Sequence, residues 1–204
     1  MNKALFIEDC KNKKPDIIVQ KHLIDGSSFF FREIQSGGEF DFKKDLAKSL
    51  GVHIRDIVIV GSGKLGFSVK PDVQFPSFYQ FKKFDFDFEQ NIENEKSDLD
   101  IAIISGSLFD KQLENIYEHT KNYTNPDFKG VKTKNFGFYI LKGWLRPDLI
   151  PEDYSINSDI QMVREKYKIE FGREINIGIY KSWYFFEKYH ENNIYNIQLN
   201  LIAK

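Results

Sequence analysis

Asp98 and Asp100 stand two residues apart in the run Ser97-Asp98-Leu99-Asp100-Ile101-Ala102-Ile103-Ile104-Ser105, whose second half is apolar. On a strand, residues i and i+2 leave the same face, so the spacing predicts two carboxylates side by side. Like charges held that close repel, and a bound divalent cation relieves the repulsion; hard oxygen ligands suit Mg²⁺ or Mn²⁺. The chemistry served by such a pair is phosphoryl transfer, in which ions activate an attacking oxygen and hold a triphosphate. Taken alone, Asp-x-Asp describes two solvated acids at a strand start equally well.

Gly61-Ser62 is the second piece. It ends a segment, Ile54 to Val60, that closes on Ile-Val-Ile-Val and reads as a buried strand. A glycine leaving a strand lets the backbone approach a ligand, the following amides can cradle phosphate oxygens, and the Ser62 hydroxyl adds a donor. A tight strand-to-helix turn asks for the same two residues. The Walker A pattern is absent. Gly61, Gly63 and Gly66 match Gly-x-Gly-x-x-Gly, but the βαβ unit and later acid of a dinucleotide site do not follow.

These residues need elements to hold them. Residues 1–40, with Phe29-Phe30-Phe31 and turns at Gly26-Ser27 and Gly37-Gly38, read as an extended N-terminal arm packed on the core. A helix is expected from Phe42 to Leu50, with Asp41 as N-cap and Gly51 as stop. Residues 71–95, with Pro71, Pro76 and an amphipathic Phe84–Phe88 run, read as an inserted loop or hairpin. Further helices are expected from Leu108 to Lys121 behind Ser107, over 133–146 up to the Arg146-Pro147 step, and from an Asn157 or Ser158 cap to Phe171 before Gly172. Glu174 to Lys181 alternates Ile175, Ile177 and Ile179 with Glu174, Asn176 and Gly178, a half-buried strand. The tail from Ser182 reads as helix, bent near Asn192-Asn193. Strands and helices mix without regular alternation, which is α+β.

The 204-residue chain is 41 % hydrophobic, 29 % charged and 16 % aromatic, the composition of a folded rather than a disordered protein. Its net charge of −1 gives no global attraction to nucleic acid or to an anionic membrane. Cys10 stands alone, so an internal disulfide is excluded and a reducing compartment fits. The start of the chain lacks the apolar stretch of a signal peptide, and no run is long enough to span a membrane, so the expected location is cytoplasmic. His22, His53, His119 and His190 lack metal-ligand spacing and are expected to be structural. Lys64, Lys142, Arg146 and Lys181 are candidate phosphate contacts, Lys181 best placed just after the late strand.

In order, strand, Gly61-Ser62 and strand-borne Asp98-x-Asp100 resemble the DNA polymerase β-like nucleotidyltransferase superfamily, and Ser97-Asp98-Leu-Asp100-Ile-Ala-Ile-Ile resembles its small bacterial members. The resemblance covers about residues 52–106 and reaches the 174–181 strand loosely. It implies a mixed sheet flanked by helices over 41–204, with the 1–40 arm and C-terminal helices around it. It implies metal ligation by Asp98 and Asp100, triphosphate held by Gly61 and Ser62 with Lys181 beside it, and a third acid on a later strand. Glu174 is the candidate for that acid; the alternative is that Asn176 sits where the acid normally does. The activity implied is Mg²⁺- or Mn²⁺-dependent transfer of a nucleoside monophosphate from NTP to a protein, RNA or small-molecule acceptor. A catalytically silent module that binds nucleotide or a partner, in a toxin–antitoxin or phage-defence setting, is the other reading. Ser62 and Asp98 lie 36 positions apart, farther than in minimal members, which is why 71–95 reads as an insertion.

Overall fold

A computed structural model describes residues 2–72, 74–124, 131–146, 149 and 158–202. Among these, four strands form one mixed sheet: β1 (Ile57–Val60), β2 (Leu99–Ile104), β3 (Trp144–Leu145) and β4 (Ile175–Tyr180). Their spatial order is β1-β2-β4-β3. β2 runs antiparallel to β1 and parallel to β4, and β3 closes the far edge antiparallel to β4.

Strand periodicity divides the residues between two faces. Ile57, Ile59, Leu99, Ile101, Ile103, Ile175, Ile177, Ile179 and Leu145 share one cluster, all buried. Over them lie α3 (Glu39–Leu50), α6 (Gly106–His119) and α8 (Ser158–Phe171), which contribute Phe42, Leu46, Phe109, Ile116, Ile160 and Phe171. Full burial of one such side chain contributes about 1.5–3 kcal/mol, so this face carries most of the hydrophobic stabilisation of the sheet. The opposite face bears Val58, Ala102, Ile104 and Tyr180, which pack with Phe186 of α9 (Trp183–Ile202). A third cluster joins α9, through Ile194 and Ile197, to Phe6 and Cys10 of α1 (Lys3–Asn12) and Ile18 of α2 (Pro15–Ile18). α9 runs as one continuous helix through Asn192-Asn193.

The N-terminal arm is helical, not extended. α2 widens into a π-type turn over Val19–Ile24 and a second such turn covers Phe30–Ile34, so the glycines at 26, 37 and 38 punctuate helices instead of strands. α3 begins at Glu39 behind Gly38 (φ 81°), three residues before the expected start, because the Glu39 carboxylate reaches back to the Ser28 N–H at 2.8 Å and its hydroxyl at 3.1 Å. The cap of α6 is Ser105, whose Oγ accepts from the Leu108 N–H, rather than Ser107. α7 (Val131–Leu141) stops short of 146, and Trp144-Leu145 is the edge strand. The Asn157 cap and Pro147 lie outside the described residues.

The 71–95 segment is built into the core. The Phe84 N–H donates to the Gly66 carbonyl at 3.0 Å, and Phe84 joins the cluster under the sheet while Phe81 joins that of α1 and α9. Phe84 to Phe88 forms a turn, with Asp85 at φ 62°, and the short helix α5 (Phe86–Glu89), not a strand. Asp85 is the reason. Its carboxylate accepts from both terminal Arg173 nitrogens, Nη1 and Nη2 (3.1 and 3.0 Å), and from the Ser97 N–H (2.8 Å), and the guanidinium lies against the Phe30 and Phe84 rings at 4.8 and 4.7 Å. No described helix is long and apolar enough to cross a membrane.

Candidate functional site

Asp98 precedes β2 and Asp100 is its second residue, and register decides what they meet. Asp100 pairs with Val60 on β1 and with Asn176 on β4. The Asn176 Nδ2 donates to Asp98 Oδ2 at 2.9 Å and to Asp100 Oδ1 at 3.3 Å, so one amide spans both carboxylates. Its two N–H groups offset part of the repulsion a cation would otherwise relieve. Burial pushes the Asp100 carboxyl above the ordinary range; the Asn176 hydrogen bond and the charge of Lys70 oppose that rise, and Asp98 adds to it.

Gly61 comes next to the same carboxylate. It leaves β1 at φ 64°, a left-handed conformation, and a Cβ there would lie 2.8 Å from Asp100 Oδ2. Glycine is required twice over, by conformation and by space. On the outer side, Arg173 donates to the Ser97 carbonyl at 2.7 Å, and Ser97 Oγ accepts from the Asp85 N–H at 3.0 Å. Asp98 is thus held by its neighbour's backbone from below.

A cleft of about 710 Å³ opens over Asp98, Asp100, Asn176 and Gly61. Lys70, Pro71 and Tyr79 line one side, so the segment read as an insertion supplies part of the wall. Away from the acids the lining turns aromatic: Trp144 and Tyr180, parallel to within 4° at 5.3 Å, then Tyr189 and His190 of α9. Arg146 lines the cleft with its guanidinium 5.3 Å from the Trp144 ring and 4.6 Å from Tyr139. Burial brings the His190 imidazole down to about 4, so it is neutral at physiological pH. The residue keeps some exposed surface, but its Nε2 and the Trp144 Nε1 are sealed from solvent with no hydrogen-bond partner.

The structure brings Gly61, Asp98, Asp100 and Asn176 together and leaves five expected residues elsewhere: Ser62, Glu174, Lys181, Lys64 and Lys142. Ser62, in the first turn of α4 (Gly61–Leu65), lies just outside the cleft lining, and its carbonyl accepts from the Gly66 N–H. The Glu174 carboxylate pairs with Lys168 at 2.5 Å, in a separate groove beside Phe88 and Lys96. It precedes β4, where strand alternation does not yet aim it. Lys181 pairs with Asp110 at 2.8 Å past the other end of β4. It lies five steps along the chain from Asn176, roughly 16 Å at ~3.3 Å each. Lys64 is buried and turned the other way: its ammonium donates to the carbonyls of Asp25 (2.8 Å) and Gly26 (2.6 Å), and burial lowers it to about 8. It caps the π-type turn that ends at Ile24. Lys142 lies over the Phe138 ring at 4.2 Å.

Among the described residues no three His, Cys, Asp or Glu side chains gather as a metal cage. The donors present are the two carboxylates, hard oxygens that fit one Mg²⁺ or Mn²⁺ with other oxygens completing its shell, while Asn176 turns its amide nitrogen toward them. They fall short of the three carboxylates of a full two-ion site. Sequence reasoning took His190 as structural and gave Trp144 and Tyr180 no part in the site. A signal existed for α9: Tyr189, Asn193 and Asn196 recur at helical spacing beside the buried Ile194 and Ile197. No family model, curated protein or solved structure matches the chain.

Proposed function

We propose that this cleft binds a nucleoside triphosphate together with one divalent cation, as a nucleotidyltransferase-type site. The observation that carries the reading is the carboxylate pair: Asp98 and Asp100 face one cleft from one strand face, with the glycine backbone of residue 61 pressed against Asp100. When bound, the cation screens the triphosphate charge and polarises its phosphorus–oxygen bonds. Asp98 and Asp100 hold it, Asn176 keeps the two carboxylates at a fixed separation, and Gly61 leaves room for the Asp100 carboxylate at the backbone. Lys70 and Arg146 supply positive charge at the wall. In the transferase version of this reading an NMP passes to a protein, RNA or small-molecule acceptor.

A specific observation favours a second version, in which nucleotide is bound and not turned over. The position opposite Asp100 holds Asn176, and Glu174 is engaged with Lys168. The group that would help deprotonate an acceptor hydroxyl is then an amide, which accepts no proton at neutral pH. Incubation with each labelled NTP and Mg²⁺ or Mn²⁺ separates the versions: pyrophosphate release with labelled product supports transfer, and saturable binding without release supports the silent module. Absence of metal-dependent NTP binding would remove both. Asn176→Asp sharpens the test. A third carboxylate directly across from Asp100 lowers stability in EDTA, and Mg²⁺ or Mn²⁺ restores it, read as a cation-dependent rise in melting temperature larger than in wild type.

A further inference from the structure

The aromatic end of the cleft has its own construction. Gly178 of β4, two residues past Asn176, has no side chain, and the Trp144 indole fills that space: a Cβ at 178 would lie 2.6 Å from Trp144 Nε1. Along β4, Gly178 lies about 7 Å from Asn176, which meets the acid pair, at ~3.3 Å per residue. Trp144 packs parallel to Tyr180, and Tyr189 lies 4.6 Å from it, tilted by 58°, so the wall is built of aromatic rings at differing angles. Two ring nitrogens in that wall, Trp144 Nε1 and His190 Nε2, are buried and unpaired. Native structures pair the great majority of such atoms, so a wall with two of them lacks a partner. Asn193, bonded to Tyr189, and Asn196 add amide groups along the same side.

We propose that this recess receives the nucleobase of the nucleotide whose phosphates meet Asp98 and Asp100, a proposal that rests on the reading of the carboxylate pair above. A nucleobase is the ligand class with both features the wall asks for: apolar faces that stack on rings, and a polar edge of donors and acceptors. The edge pairs with Trp144 Nε1–H and with the neutral His190 imidazole after a small side-chain adjustment of the kind common at binding surfaces. The separation along β4 leaves the ribose and α-phosphate between recess and carboxylates.

Trp183→Phe leaves Trp144 as the one indole of the chain, which contains two tryptophans. In that protein, with EDTA present, titration with adenosine, guanosine, cytidine and uridine is expected to give saturable quenching by at least one nucleoside. His190→Phe in the same background is expected to weaken that binding at least tenfold. Asn193→Ala, nearer the rim, weakens it severalfold and keeps the test decisive if the buried substitution impairs folding. No saturable quenching by any nucleoside at millimolar concentration overturns the proposal, as does quenching unchanged in both variants. Calorimetry with Mg²⁺ and tripolyphosphate reads the other end of the cleft alone. If tripolyphosphate binds and nucleosides do not, the recess assignment falls and the carboxylate reading stands; the reverse outcome removes the carboxylate reading and keeps the recess.

Discussion

The two faces of the sheet come from the same strands and differ at alternate residues. Beneath, Ile101, Ile103, Ile177 and Ile179 form a continuous aliphatic layer under three helices. Above, the same strands present Asp100, Ala102, Asn176 and Gly178, and α9 packs on the Ile104–Tyr180 end while a cleft occupies the rest. A half-buried carboxylate beside another, a strand glycine and unpaired ring nitrogens each cost stability. The aliphatic face offsets those costs. The contrast teaches that fold and site are separable here by a shift of one residue along a strand.

Ile177→Ala carries the largest expected effect. It should lower unfolding free energy by about 2–5 kcal/mol, read as the shift of a urea midpoint, with the Mg²⁺–nucleotide affinity of the folded protein unchanged. A fall in affinity to match would mean that the faces are not separable.

Asp100→Asn is the opposite case. Metal-dependent NTP affinity should fall at least tenfold by calorimetry, while stability at neutral pH rises. The Asp100 carboxyl is raised in the folded state, so the unfolded chain releases its proton first and stability is lost as pH climbs from the ordinary carboxylate range through the raised value. The amide variant should show no such loss over that window. If Asp100→Asn is the less stable protein at pH 7, the carboxylate belongs to the fold rather than to the site.

Gly61→Ala should cost about 1–2 kcal/mol for its left-handed backbone and weaken metal-dependent binding by displacing Asp100. Thermal melts and calorimetry measured together check it; a destabilised variant with full affinity would break the link between this glycine and the carboxylate. Lys181→Ala should do least. Its exposed pair with Asp110 contributes under about 1 kcal/mol, and NTP affinity should be unchanged. A clear loss of affinity would restore Lys181 as a phosphate contact.

What the sequence made legible was local. Asp98-x-Asp100 and the isoleucine alternation over 175–179 announce which side chains share a face, because period two follows from the pleat alone. Helix ends were readable to within a few residues: Ser105 and Ser107 are both sound caps, and the choice between them is a matter of where the strand ends. What could not be read depends on distant pairs. Asn176 meets the acids through the register of β2 on β4, the two-residue strand at Trp144 exists because β4 offers it an edge, and Asp85 finds Arg173 across 88 residues. The displaced positions of Glu174 and Lys181 have the same origin: each lies just beyond a strand end, where alternation stops predicting direction.

The order β1-β2-β4-β3 also has a meaning in time. Among the described residues the last strand in sequence is an inner one, so β2 keeps a bare edge until residues 175–180 have been made, and that edge is open to wrong pairing meanwhile. Asp100 precedes its partner Asn176 by 76 residues. At synthesis rates of about 5–20 residues per second that interval is roughly 4–15 s. Arg173, which holds Ser97 and Asp85 in place, emerges at the end of the same interval. A nascent chain therefore carries its acid pair without the groups that organise it, and the site assembles in one late step, when the strand that completes the sheet arrives.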